Sequence, residues 1–78
     1  MEPFVVEIEP REEKDLLFND HKGEEFHFVL EGIVEFRSAE KIHQLEKGDS
    51  IYFDSSIPHA LRGIKGIAKS LIVIFASK

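Results

Sequence analysis

The sequence predicts an all-β fold, a small antiparallel barrel or sandwich. Short runs rich in β-branched and aromatic residues recur at close spacing, and turns containing glycine or aspartate separate them. No stretch shows the apolar period of an amphipathic helix, and no internal repeat is visible. Because 78 residues suffice for one small core, we expect a single domain over residues 1–78.

The first part of the chain is expected to supply an edge strand and the best-defined strand. Phe4–Ile8 is a β-rich run between Pro3 and Pro10, and proline, which cannot donate to a ladder, is typical of sheet edges. The apolar run Leu16–Phe18 predicts a further short strand. Glu25–Leu30 alternates, so its side chains divide between two faces. One face carries Glu25, His27 and Val29, and the other carries Phe26, Phe28 and Leu30.

Turn signals divide the rest of the chain into short strands. Glu31-Gly32 predicts a tight reversal, after which Ile33–Arg37 returns as the second arm of a hairpin. Lys47-Gly48-Asp49 is typical of a turn, and Gly63–Gly66 is expected to be a flexible segment. The remaining predicted strands are Ile42–Leu45, Ile51–Phe53, His59–Leu61 and the buried closing strand Ser70–Phe75.

Composition excludes several classes of protein. The chain has no cysteine, so it has no disulfides and no thiolate metal site. A net charge of −5 does not favour binding of nucleic acid through this domain. We find no apolar run of membrane-spanning length and no secretory signal after Met1, so we expect a cytoplasmic protein without membrane contact. A core this small needs a bound metal or a partner subunit, and we expect a homodimer.

Two imidazoles and one carboxylate are the candidate metal ligands. His21 and Glu25 precede and open one predicted strand, and His59 opens another. If these strands are neighbours in a barrel, the three side chains converge at its mouth. Such a set suits non-haem iron, and also manganese, nickel or zinc, and it leaves coordination positions for substrate or water. The alternative is a group of polar residues that bond to one another or to water without a metal.

The motifs around these ligands resemble those of the cupin superfamily. The first cupin motif contains a Glu, a short apolar strand and a Gly, and residues 25–32 follow this pattern, ending in Val-Leu-Glu-Gly. The second begins at Gly48, continues through an apolar strand and a turn of small residues, and ends on Pro58-His59. The resemblance covers about residues 20–75 and implies a small antiparallel jelly-roll (cupin) β-barrel.

The resemblance also implies which residues form the site. Metal-binding cupins carry two His with one residue between them, then the Glu, then the late His. His21, Glu25 and His59 match the last three of these positions, and Asn19 stands where the first His would be. Gly63 stands where the family often has Asn. We therefore expect three protein ligands for a metal, with a fourth position that departs from the pattern.

Two functions are expected from these motifs. The residues of both motifs are similar to those of the C-terminal cupin of Xre-type helix-turn-helix transcription regulators. This resemblance implies a module that senses a small molecule, either free-standing or part of a larger regulator. Its ligand pocket would include Asn19, His27 and Arg62. For His27 and Arg62 the alternatives are a core histidine and a surface charge. The second function is a metal-dependent cupin enzyme, a dioxygenase or isomerase, that uses the same three metal ligands. The charge balance, the short chain and the similarity to the regulators favour the binding module over the enzyme.

Overall fold

The computed structural model describes residues 2–39 and 41–75, which contain an antiparallel sheet of five strands. The strands are β1 (Glu2–Ile8), β2 (Glu24–Ser38), β3 (Ile42–Glu46), β4 (Ser50–Asp54) and β5 (His59–Phe75). Their order is β1-β5-β2-β3, and β4 also pairs with β2. β5 follows β2 along most of its length, while β3 pairs with residues 33–37 of β2 and β4 with residues 24–28. The predicted all-β antiparallel fold is confirmed.

Gly32 lies inside β2, so the hairpin predicted at Glu31-Gly32 is wrong. β2 continues without a reversal, and its pairing with β5 shifts register around residues 29–33. Gly32 has a φ of +78°, and a Cβ there would lie 3.1 Å from the backbone of Ala68 on β5. The glycine is therefore needed because the ladder is irregular here and the two strands approach closely. In the sequence, a glycine at such a position looks the same as a glycine in a turn.

β2 and β5 bend strongly, and the bend brings distant parts of the sheet together. In a straight strand the backbone from Glu25 to Ser38 would span roughly 40 Å. Ser38 is paired with His59 across the ladder, yet the side chain of His59 comes within 3.5 Å of Glu25. The sheet therefore curls around its inner face, because the shifts of register in the middle of β2 allow the strand to bend.

Two other segments differ from the sequence predictions. Leu16–Phe18 is not a strand; it follows a short 3-10 helix, Glu13–Asp15. This helix is short, and within the part of the chain that the structure describes no helix is long and apolar enough to cross a membrane. Gly63–Gly66 belongs to β5 and is not a separate flexible segment. A Cβ at Gly63 would lie 2.7 Å from the carbonyl oxygen of Ile8, so a glycine is needed for close packing of the chain at this point.

The two faces of the sheet carry different residues. The inner face holds the apolar core, which consists of Ile8, Val29, Val34, Leu45 and Ala68 with Val6, Ile51 and Leu61 packed against it. Five polar residues are buried as well, namely Glu25, His27, Ser55, His59 and Ser70. The outer face carries an ion cluster in which Glu35 accepts hydrogen bonds from Arg37 and Arg62. Because burial of polar groups is costly unless they bond to one another, the buried polar set marks the candidate site.

Candidate metal centre

His21, Glu25 and His59 form a compact donor group at the inner face. Oε2 of Glu25 lies 2.5 Å from Nε2 of His21 and 3.5 Å from Nε2 of His59. One ligand atom from each residue can be chosen so that all lie within 4.8 Å of one another. Glu25 and His59 are buried, whereas His21 is exposed at the rim. Since metal–ligand bonds are about 2.0–2.2 Å long, small movements would bring all three residues into contact with one ion.

Backbone pairing holds the segments that carry the donor group. His21 precedes β2, and its N–H donates to the carbonyl of Ser55, in the turn after β4, at 2.9 Å. His59 opens β5 and exchanges two backbone hydrogen bonds of 2.9 Å with Asn19. Glu25 lies in β2 between β4 and β5 and is paired with both. The three ligands therefore come from segments that are bonded to one another, which preorganises the group.

The second nitrogen of each histidine in the donor group is bonded to the backbone. Nδ1 of His59 donates to the carbonyl of Ile57 at 2.7 Å, and Nδ1 of His21 donates to the carbonyl of Lys22 at 3.2 Å. A carbonyl oxygen can only accept, so each Nδ1 carries a proton. In the neutral ring the lone pair is then on Nε2, which faces Glu25. Histidines that ligate metals are usually fixed in this way, so the donor set fits a divalent transition metal.

The electrostatics of the site favour an ionised carboxylate. Burial opposes ionisation of Glu25, but hydrogen bonds from His27, His21 and Ser55 more than offset it and lower its pKa to about 2. The pKa of His21 is raised, chiefly by its hydrogen bond to the backbone of Lys22. Burial lowers this pKa, and the hydrogen bond and charge of Glu25 raise it further. Near neutral pH Glu25 is therefore an anion that attracts a cation, and below its raised pKa His21 carries a proton that a metal has to displace.

Two aromatic rings contact both the donor group and a cavity of about 550 Å³. Phe36 stacks on the imidazole of His59 with 6.2 Å between ring centroids, and Phe53 lies edge-on to it at 4.7 Å. Both phenylalanines line the cavity, whose wall also includes Leu45, Ile51, Ser38, Lys41 and Tyr52. A cavity of this size and mixed lining is suited to a small molecule with both apolar and polar parts.

Asn19 and His27 both adjoin the donor group. Asn19 does so through the backbone pairing with His59 described above. His27 is 1% exposed, and its Nε2 lies 2.7 Å from Oε1 of Glu25. His27 therefore contacts the carboxylate oxygen that the other two histidines leave free.

Arg62 lies on the outer face of β5, away from the donor group, and its place in a ligand pocket stays a prediction. Its guanidinium donates to both carboxylate oxygens of Glu35, at 3.1 and 3.0 Å, and to the carbonyl of Arg11 at 2.9 Å. Successive side chains in a strand point to opposite faces, so His59 and Leu61 share one face and Arg62 takes the other. The structure therefore does not bring Arg62 to the donor group.

Ser55 is a site residue that the sequence predictions missed. It is fully buried, and its hydroxyl donates to Oε2 of Glu25 at 3.1 Å. The two residues are 30 positions apart, so the contact depends on the turn after β4 folding over the start of β2. The available signal was the turn of small residues before Pro58 in the second motif, where a serine is small enough to be buried and still able to donate.

The fold and the donor group together define the class of protein. The family model for the Cupin domain matches residues 4–75, which include both motifs and all three candidate ligands. The chain therefore belongs to the cupin family. This match confirms the resemblance found in the sequence and the jelly-roll barrel that the resemblance implied.

The relatives of this chain include an iron enzyme. This chain is similar to (S)-2-hydroxypropylphosphonic acid epoxidase (HppE) of Streptomyces wedmorensis. The two are 32% identical over 76 residues, and the match covers 91% of this chain and 38% of that protein. Fe(II) HppE in complex with substrate superposes with a TM-score of 0.85 at 35% identity, covering 94% of this chain and 44% of that one. Co(II) HppE in complex with substrate superposes with a TM-score of 0.84 at 36% identity, and the match covers 94% of this chain and 43% of that one. The chain thus spans less than half the length of these relatives.

Proposed function

We propose that this chain is the metal-binding domain of a metal-dependent cupin enzyme that oxidises a small organic molecule. The observation that carries the proposal is the convergence of Nε2 of His21, Nε2 of His59 and Oε2 of Glu25. Iron held by two imidazoles and one carboxylate offers further coordination positions to a substrate and an oxidant. The solved complex of Fe(II) HppE with substrate supports iron as the metal.

Each part of the site has a separate task in this proposal. His21, Glu25 and His59 bind the metal, and the two backbone carbonyls on Nδ1 of the histidines keep both rings in the required orientation. Phe36 and Phe53 cover the ring of His59 on the side of the cavity and restrict the access of water to it.

The cavity beside Phe36 and Phe53 indicates the class of substrate. Its wall includes Lys41 and Ser38 beside apolar side chains. A small organic acid would place its anionic group near Lys41 and its carbon skeleton against the two phenylalanines. HppE is named for (S)-2-hydroxypropylphosphonic acid, a small acid of this kind, and this similarity supports the assignment.

Metal content and turnover test the proposal together. We expect about one Fe(II) per chain in the wild type and in Arg62→Ala, whose side chain lies outside the donor group, and none in His59→Ala. With Fe(II) and hydrogen peroxide as the two-electron oxidant, the wild type and Arg62→Ala are expected to consume (S)-2-hydroxypropylphosphonic acid, and His59→Ala is not. A wild type without bound metal, or one with iron that leaves this acid unchanged, would contradict the enzyme assignment.

A ligand-sensing module is the second proposed function, favoured by the similarity of both motifs to the cupin of Xre-type regulators. In that case the cavity of about 550 Å³ binds a small molecule that is not converted. Saturable binding of a small acid, with or without metal and without product, would support the sensor over the enzyme.

The assembly and location of the chain are further parts of the proposal. We propose a single domain over residues 1–78 that forms a homodimer in the cytoplasm and does not bind nucleic acid. Large apolar side chains that are exposed, among them Phe4, Leu17, Ile42 and Ile67, support a partner surface. Light scattering coupled to size exclusion should give twice the mass of 9.0 kDa.

A further inference from the structure

His27 is a buried histidine bonded to the candidate metal ligand Glu25. Its side chain is 1% exposed, and its Nε2 lies 2.7 Å from Oε1 of Glu25. An ionised carboxylate can only accept hydrogen bonds, so Nε2 of His27 must carry the proton and donate it. The sequence predicts a ligand-pocket residue at this position, and the donor group of His21, Glu25 and His59 does not include it.

The contacts of Glu25 divide between its two carboxylate oxygens. Oε1 accepts the hydrogen bond from His27. Oε2 faces the Nε2 atoms of His21 and His59, at 2.5 and 3.5 Å. A carboxylate tied at one oxygen has little freedom to rotate, so the other oxygen keeps its direction toward the point where the two imidazoles meet. The bond from His27 therefore selects which oxygen of Glu25 is presented to a metal.

The other nitrogen of His27 points to a second member of this arrangement. Nδ1 of His27 and Oγ of Ser70 are both buried, and neither has a hydrogen-bond partner among the residues that the structure describes. In the ladder Val29 is opposite Ser70 and His27 is opposite Ile72, so His27 and Ser70 are diagonal neighbours on the inner face. A buried polar atom without a partner is costly, so we expect one water to bridge these two atoms.

We propose that His27 is a positioning residue that holds Glu25 in the orientation needed for metal binding, and that Ser70 fixes the tautomer of its ring. Through a bridging water the hydroxyl of Ser70 donates toward Nδ1, which leaves the N–H on Nε2, facing Oε1 of Glu25. The inference rests on the proposed metal site, and it adds a chain of three residues, Ser70, His27 and Glu25, that ends at the metal. Outer-shell partners of this kind orient the ligand and set its basicity.

Affinity for Co(II), measured by competition with a chelator, tests this role without an activity assay. His27→Phe keeps a ring of similar volume but removes the donor, and we expect it to weaken Co(II) binding about 10- to 100-fold and to change the visible ligand-field spectrum. His27→Gln retains an amide N–H at similar reach and should recover most of the affinity. Ser70→Ala should produce a smaller loss, about 3- to 10-fold. The matched control is His43→Phe, which removes an exposed imidazole outside the donor group and should leave the affinity unchanged.

Several outcomes would overturn the inference. If the wild type binds Co(II) and His27→Phe has the same affinity and spectrum, the positioning role alone is contradicted. If the wild type does not bind Co(II), the proposed metal site itself is overturned. If His27→Phe does not fold, His27→Asn replaces it, since its shorter amide cannot reach Oε1 and should weaken binding where His27→Gln does not. Electron spin-echo spectroscopy of the Cu(II) form should count two imidazole ligands in the wild type. A third imidazole that is lost in His27→Gln would make His27 a ligand and contradict the proposal.

Discussion

Two carboxylates on β2, Glu25 and Glu35, are held by different kinds of partner. Glu25 is on the inner face and accepts hydrogen bonds from two imidazoles and the hydroxyl of Ser55. Glu35 is on the outer face and accepts hydrogen bonds from the guanidinium groups of Arg37 and Arg62. The pKa of both carboxyls is lowered, that of Glu25 to about 2 and that of Glu35 chiefly by Arg62. A lowered pKa therefore does not distinguish a candidate metal ligand from a structural ion pair.

The partners make the distinction. A guanidinium is always charged and has no lone pair to offer, so the cluster around Glu35 is complete and excludes a cation. An imidazole can give up its proton and then offers a lone pair, so a divalent metal can replace protons between His21, His59 and Glu25. The comparison teaches that the capacity for metal binding lies in the histidines around the carboxylate.

Removing one carboxylate at a time is the sharpest test of this contrast. We expect Glu25→Gln to lower Fe(II) or Co(II) affinity by more than the roughly 100-fold that loss of an outer-shell partner can cost, because it removes both a ligand and its charge. Glu35→Gln has the same chemistry on the other face and should leave the affinity unchanged. Metal titration of both variants in parallel measures the difference. An equal loss in the two would contradict the contrast between the faces.

Metal affinity should also depend on pH, because the candidate ligand His21 on the inner face binds a proton. The pKa of His21 is raised above 6.5, and a metal must displace its proton to reach Nε2. Affinity is therefore expected to be constant at high pH and to fall by up to about tenfold per pH unit once the pH is below the raised pKa. Calorimetry in buffers of different ionisation enthalpy measures the protons released. Binding that releases no proton below that pKa would show that His21 is not a ligand.

The outer cluster should contribute to stability and not to metal binding. Glu35→Gln leaves Arg37 and Arg62 without their shared carboxylate, and we expect a loss of about 1–2 kcal/mol in the free energy of unfolding, between an exposed and a buried ion pair. Because the pKa of Glu35 is lowered from 4.5 in the folded state, its stabilisation is present above that pH and is lost as the pH falls toward the lowered value. The gap between wild type and variant in urea unfolding should therefore close at acid pH.

The sequence could predict the parts of this molecule that depend on local pattern. Alternation along residues 25–30 correctly separated the buried set with Glu25 and His27 from the opposite set. The same two-residue period predicts that Arg62 lies on the other face of β5 from His59, which is where it bonds to Glu35.

Long-range contacts could not be predicted from the sequence. Gly32 carries the signal of a turn, and only its contact with Ala68 shows that it serves a bulge in a continuous strand. The bond between Ser55 and Glu25 depends in the same way on how the turn after β4 meets β2, 30 positions away. Motifs identified the residues of the donor group, whereas their outer-shell partners followed only from the closed sheet.

Ser55 gives the smallest and most specific of the expected effects. Its hydroxyl donates to Oε2, the oxygen of Glu25 that faces the two histidines, so it helps to set the direction of the ligand without contributing charge. We expect Ser55→Ala to weaken Co(II) binding by about 1 kcal/mol, roughly fivefold, because one hydrogen bond that orients the carboxylate is lost. Ser56→Ala is the matched control, since Ser56 is exposed and bonds to Asp54 instead. Equal affinities for Ser55→Ala and Ser56→Ala would show that His27 alone is sufficient to hold Glu25, because its bond to Oε1 would then fix the carboxylate without help from the turn after β4.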